Sequence, residues 1–190
     1  MKYYEFTEET KEFYGHVLHR IRAIKDLPIH NVKQGDLGGW VESKMNLKGN
    51  AWVFDNAKVY GNAKVFDNAK VYGNAEVFGN AWVYGDAKVC GDAKVCGNAE
   101  VSGDAKVYGD AKVCGDAKVK CLSDYIVFKN WWSSGRYFIW TKSNNMWSVG
   151  CFYGTGKELI EKAYKDSEIS GREYERVVKY VESILNEVEK

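Results

Sequence analysis

The chain has 190 residues, with 27 Lys and Arg against 26 Asp and Glu, and a formal net charge of +1. That balance argues against an electrostatically steered binder of nucleic acid, so nucleic acid is not an expected partner. No stretch has the apolar length of a membrane span, and the opening Met1-Lys-Tyr-Tyr-Glu-Phe lacks the apolar core of a signal peptide. Five cysteines, an odd set with no Cys-x-x-Cys spacing, then point to reduced thiols in a cytoplasm.

Residues 1–40 do not repeat. Tyr3-Tyr4-Glu5-Phe6 reads as a short strand, and His16 to Ile24 as a second, with Ile21 and Ala23 inward and Arg20 and Arg22 outward. Gly35-Asp-Leu-Gly-Gly-Trp40 is a glycine-rich bend leading into the next segment, with Trp40 expected to cover the end of that segment's core.

From Val53 a six-residue phrase recurs almost without error: Val-Phe-Asp-Asn-Ala-Lys, Val-Tyr-Gly-Asn-Ala-Lys, and so on to Val119. The register runs back to Leu47 with Ala51 and, more loosely, to Val41 with Met45. A period of six fits no amphipathic helix, whose apolar stripe returns every three to four residues. Within each phrase Ala and Val lie two apart, on one face of a short strand, and Gly-Asn, Gly-Asp or Asp-Asn follows at a corner that tolerates positive φ. Short strands joined by tight corners form a coil with small residues inside, and stacked coils form a solenoid. Both ends of such a stack expose unpaired backbone, so the flanking segments are expected to cap it.

The composition changes after Lys120. Asp124 to Phe128 reads as a strand, and Arg136–Thr141 and Met146–Tyr153 as a hairpin around Ser143-Asn144-Asn145. Thr155 with Glu158 caps one helix, and Ser170 with Glu173 a second whose Tyr174, Val177, Val178 and Val181 share a face. Tyr125 to Lys157 contains no Asp or Glu, yet carries Lys129, Arg136, Lys142 and Lys157 among many aromatic rings. Aromatic faces stack on bases and cations pair with phosphates, so this mixture suits a small anionic aromatic ligand. The expected ligand residues are Trp131, Trp132, Ser134, Arg136, Tyr137, Lys142, Asn144, Asn145 and Trp147, with Arg20 and Arg22 as additions.

The repeat resembles the hexapeptide repeats of left-handed parallel β-helices, in which three hexads close one triangular coil. That resemblance implies a mainly β fold: an N-terminal β cap (1–40), a left-handed triangular prism of about four coils (41–120), and a small α+β domain (121–190) of a three-stranded meander and two helices. At eighteen residues per coil, Phe54, Tyr72, Cys90 and Tyr108 stack on one face, Tyr60, Phe78, Cys96 and Cys114 on a second, and Phe66, Tyr84, Ser102 and Lys120 on the third. Lys58, Glu76 and Lys94 alternate in sign up one column, whereas Lys88 and Lys106 stand in another without relief. Cys96 and Cys114 fall within disulfide reach but, in a reducing compartment, read as small packing residues. The family's usual assembly implies a homotrimer, and exposed aromatic columns call for a cover, either the terminal segments or another subunit.

Enzymes of this superfamily use histidine as a general base or as a zinc ligand, but the repeats contain no histidine, and His16, His19 and His30 all precede them. No metal or cofactor is therefore expected. Over its full length the chain is similar to hexapeptide-repeat proteins of phages and prophages of Gram-positive bacteria, through Gly35-Asp-Leu-Gly-Gly-Trp-Val-Glu, the Val-Tyr-Gly-Asn-Ala repeats and Trp131-Trp-Ser-Ser-Gly-Arg. The expected function is thus a non-catalytic binding protein that sequesters a nucleotide-like signalling ligand against host defence. A protein-partner inhibitor or scaffold using the prism faces and a hexapeptide-type acyltransferase are the alternatives.

Overall fold

A computed structural model of the chain describes residues 3–130 and 134–188. These residues divide into two compact units, Met1–Tyr125 with Lys142–Asn144, and Ile126–Thr141 with Asn145–Lys190.

The first unit begins with an antiparallel hairpin of β1 (Tyr4–Phe13) and β2 (His16–Ala23). Tyr14 and Gly15 close it with φ of 48° and 81°, the paired positive values of a type I′ turn. Strand β3 (Leu37–Val41) pairs antiparallel with β2 on one side and parallel with the solenoid on the other. Two-residue strands then follow at six-residue steps, from β4 (Trp52–Val53) to β15 (Lys118–Val119). Val53 pairs with Val71, Val71 with Val89, and Val89 with Val107, which fixes eighteen residues per turn. The result is a parallel β-solenoid of about four turns with three sheets, ordered β1-β2-β3-β5-β8-β11-β14, β13-β10-β7-β4 and β15-β12-β9-β6. Every repeat Ala and Val from Ala51 to Val119 is fully buried. Each buried valine contributes on the order of 1.5–3 kcal/mol, so the interior is the main source of stability.

Glycine recurs at the corners because the chain turns there through positive φ, and because successive corners nearly touch. A Cβ on Gly97 would lie 2.8 Å from the backbone nitrogen of Gly115. Asp55 and Asp67 hold the same conformation at φ of 53° and 58°, and their carboxylates accept from the N–H groups of Gly73 and Gly85 one turn on.

Both ends are capped. At the first, Tyr3, Tyr4, Ile21, Leu27 and Val32 join the valine core, and the Tyr3 hydroxyl donates to the Ala51 carbonyl at 2.9 Å. Trp40 is not part of this lid. It precedes inward-facing Val41, so it faces outward, 9% exposed, and packs with Leu18 and Tyr60 on the prism's outer surface. At the other end Tyr125 joins the core and its hydroxyl donates to the Lys106 carbonyl. There the N–H of Lys118 donates to Ser143 Oγ (2.7 Å) and that of Lys120 to Asp124 Oδ2 (2.7 Å). Cys96 and Cys114 are more than packing residues: stacked with Cα atoms 4.6 Å apart, they are joined as a disulfide.

The second unit is a four-stranded antiparallel sheet in chain order, β16 (Tyr125–Lys129), β17 (Tyr137–Thr141), β18 (Met146–Val149) and β19 (Phe152–Gly154), with α1 (Gly156–Asp166) and α2 (Glu168–Val188). The expected meander gains a strand because Gly150, at φ 58°, turns the chain inside Met146–Tyr153. Thr155 and Glu158 form the capping box of α1. The cap of α2 is Ser167, whose hydroxyl accepts from the N–H of Ser170 at 3.1 Å; Ser170 itself lies in the first turn.

Candidate functional site

The described residues among the sequence-predicted ligand set fall in both units. Trp131 and Trp132 lie outside the described residues. Trp147 is 2% exposed and pairs across the sheet with Trp140, 3% exposed, in the core against Leu159 and Val178. That burial leaves Trp147 no ring face for a ligand, which corrects its expected role. Arg136 is exposed, its Nη1 at 3.5 Å from the Tyr174 hydroxyl, and Ser134 Oγ accepts from the Arg136 N–H at 3.3 Å. Lys129 places its ammonium 5.0 Å from the Tyr137 ring. The Asn145 side-chain carbonyl accepts from Trp140 Nε1 at 2.8 Å and so holds the hairpin turn. Lys142 and Asn144 belong to the first unit, where the Lys142 N–H donates to the Asp124 carbonyl at 2.8 Å. Arg20 and Arg22 face Glu9 (3.5 Å) and Glu5 (3.8 Å) across the hairpin, so their charges are locally matched.

The three histidines differ. His19 stacks on Phe6 at 4.6 Å, and His30 Nε2 meets the Asn50 carbonyl. His16 Nδ1 lies 2.8 Å from Glu42 Oε1, while Glu42 Oε2 accepts from the Gly61 N–H at 2.6 Å. Burial pushes the Glu42 carboxyl up, but these two bonds outweigh it and hold its pKa below the ordinary value. Among the described residues, no group of three or more His, Cys, Asp or Glu is placed to hold a metal ion, and no helix is long and apolar enough to cross a membrane.

The outward columns of the solenoid distinguish its faces, because every turn presents the same backbone. On the β5-β8-β11-β14 sheet, Glu76 sits between Lys58 and Lys94 and accepts from Lys94 Nζ and the Tyr60 hydroxyl, each at 3.3 Å. The hairpin, through Phe13 and Leu18, and β3, through Trp40, cover the head of this face, with Tyr60 stacked on Phe78 at 5.2 Å. On the β6-β9-β12-β15 sheet the column reads Lys64, Trp82, Glu100, Lys118. Glu100 lies 3.2 Å from Lys118, and the Lys64 ammonium 5.2 Å from the Trp82 ring.

The third sheet differs. Its column reads Trp52, Lys70, Lys88, Lys106, with no acid. Lys70 Nζ donates to the Ile29 carbonyl at 3.3 Å, and among the described residues Lys88 and Lys106 form no ion pair. Phe54, Tyr72, Cys90 and Tyr108 flank the lysines on one side, and Asn50, Asn68, Asp86 and Asp104 on the other. Two grooves share Lys70 and Lys88. One, of about 450 Å³, is lined also by Asn68, Asp86, Asp104, Lys106 and Ile29, and the other, of about 300 Å³, by Phe54, Asp55 and Tyr72. The Tyr72 phenol is pushed up to about 12, first by its hydrogen bond with the Cys90 thiol and then by burial, so it stays a neutral ring at physiological pH.

This face combines ammonium groups for phosphate, rings for a planar base, and side-chain carboxylates and amides that accept from hydroxyl or amino groups. Its signal in the sequence is the eighteen-residue spacing of Lys88 and Lys106, weaker than the aromatic density after Lys120. No family model matches the chain, and no curated protein matches its sequence, so the residues themselves carry the functional argument.

Proposed function

We propose that this chain is a non-catalytic binding protein that captures a nucleotide-like ligand on the Lys70–Lys88–Lys106 face of its solenoid. The observation that carries the reading is the acid-free lysine column, since both other faces place a glutamate among their lysines. A phosphate lying on Lys70 and Lys88 puts an attached base over Phe54 or Tyr72, while ribose hydroxyls donate to Asp86 or Asn68. Asp86 and Asp104 repel a bare polyanion and accept from hydroxyls, which favours a nucleotide over a simple phosphate chain. The resemblance to phage proteins makes sequestration of a host signalling nucleotide, in the bacterial cytoplasm and by a homotrimer, the biological form of this reading.

Titration calorimetry with linear and cyclic nucleotides tests it. Binding should weaken about tenfold per lysine removed, about 1.4 kcal/mol each, in Lys70→Ala and Lys88→Ala. No heat with any nucleotide, or equal affinity in the double variant, would overturn the reading. Sedimentation of the purified chain tests the trimer.

A further inference from the structure

The solenoid holds a third groove, away from the lysine face, and it arises where the repeat fails. The stretch Val41–Leu47 keeps its ends in register, Val41 against Val59 and Leu47 against Val65. Between them two side chains exchange places. Met45, at the position of an inward alanine, points out and is 67% exposed, whereas Asn46, at an outward lysine position, is 2% exposed. In regular turns the backbone N–H groups at these steps donate to the next turn, as Asn80 does to Gly97 and Lys64 to Ala81. Here Asn46 turns its own N–H to Ser43, and its side-chain Nδ2 donates instead to the carbonyls of Gly61 (2.9 Å) and Ala63 (2.7 Å). One buried amide thus replaces two backbone donors, and the displaced corner leaves a groove of about 560 Å³. That lies within the range of about 300–1,000 Å³ seen for small-molecule sites.

We infer that this groove binds a neutral, hydroxyl-rich ligand, a pyranose unit of a sugar stacked against Trp82. Trp82 stands where most repeats carry Lys or Glu, and it is 42% exposed at the groove wall. An indole offers a broad apolar face with a polar N–H at its rim, the complement of a pyranose with C–H groups on its faces and hydroxyls at its edge. The charged lining residues are Glu42 and Lys64, one of each sign, so the groove selects neither anion nor cation. Amide side chains supply further polar lining. Asn62 Nδ2 donates to Asn80 Oδ1 at 3.2 Å, and Asn80 Nδ2 to Asn98 Oδ1 at 3.1 Å. The ladder has no rung above Asn62, because the residue one turn earlier is Lys44 in the displaced corner. Among the described residues nothing donates to Asn62 Oδ1, which leaves an acceptor for a ligand hydroxyl beside the ring.

This site is independent of the lysine face, and its test separates the two. Tryptophan fluorescence and saturation-transfer NMR would be recorded with glucose, galactose, mannose and N-acetylglucosamine, as free sugars and as short oligomers. At least one should bind, with affinity falling tenfold or more in Trp82→Ala and in Asn62→Leu and unchanged in Lys162→Ala, an exposed helix position. Both altered residues are on the surface, so thermal melts of the variants should match the parent and exclude misfolding as the cause. No sugar binding at about 50 mM, well beyond the millimolar range of weak sites, would overturn the inference. So would binding indifferent to both substitutions, or adenosine binding more tightly than every sugar.

Discussion

Two faces of the same prism, the Glu76 face and the Lys88 face, share interior, backbone and corners, yet carry opposite chemical characters. On the first, Glu76 ties Lys94 and Tyr60 together and the hairpin packs over the head of the column. On the second, three lysines run up the turns with no acid among them. Inward positions therefore decide whether the solenoid exists, and outward positions decide the chemistry of its surface. Neighbouring residues within one strand should then give wholly different phenotypes.

The largest effect is expected at Val89, one residue from Lys88. Its side chain is fully buried between Val71 and Val107. Val89→Asp would place an uncompensated carboxylate in the valine core, at a cost on the order of 3–5 kcal/mol. That is a large share of the stability of about 5–15 kcal/mol of an ordinary domain. Circular dichroism should show loss of the cooperative solenoid transition, while an outward change at position 88 leaves it in place.

Next in size is Asn46. With Asn46→Ala, the carbonyls of Gly61 and Ala63 lose their donor. Leaving buried acceptors unpaired costs about 1–3 kcal/mol each, less whatever water recovers through the adjacent groove. Chemical denaturation should report a loss in that range. Asn62→Ala, which removes one exposed rung of the corner ladder, should change stability by less than about 0.5 kcal/mol.

This exchange of Met45 and Asn46 marks the limit of what the sequence discloses. The regular turns are legible because Val and Ala at fixed spacing dictate inward faces, and the eighteen-residue columns follow from three hexads per turn. At 41–47 the spacing of Val41 and Leu47 is intact and only Met45 in place of alanine loosens the register, so periodicity does not fix the flip; the hydrogen-bond demand of two carbonyls in the next turn decides it. Trp147 shows a different failure. Its period-two relation to Val149 marked a core position, but its place in a run rich in rings and cations suggested a ligand platform. Trp40 was readable too, since a residue directly before an inward valine must face out. The unrelieved column of Lys88 and Lys106 is legible in the eighteen-residue spacing, and the glutamates on the other two faces set it apart.

A smaller effect concerns pH. His30 Nε2 is satisfied by the Asn50 carbonyl, while Nδ1 is buried without a partner, so a second proton has nowhere favourable to go. Burial, with the nearby Lys70 charge, lowers its pKa below the ordinary 6.5, against the Asn50 bond that raises it. The unfolded chain therefore takes up the proton first. This contribution to stability is complete above the unfolded value and is lost as pH falls below 6.5 towards the folded one. The melting temperature should fall between about pH 7 and about pH 5.5, and His30→Gln should flatten that slope.

The smallest stability change carries the most information about the two faces. Lys88→Glu would set an acid between Lys70 and Lys106 in the third column, the alternation that Lys58, Glu76 and Lys94 already show. Removing two like-charge neighbours and adding exposed ion pairs should raise stability by no more than about 0.5 kcal/mol, a shift of a few degrees at most. On the proposed function, nucleotide affinity should fall at least tenfold in the same protein, since an ammonium that would meet phosphate becomes a carboxylate that repels it. A general loss of folding moves stability and binding in the same direction. Opposite signs arise only if the acid-free column is kept for a ligand at the expense of the solenoid's own electrostatics. If Lys88→Glu lowers stability, or leaves nucleotide affinity intact, the two faces do not differ in the way their charges indicate.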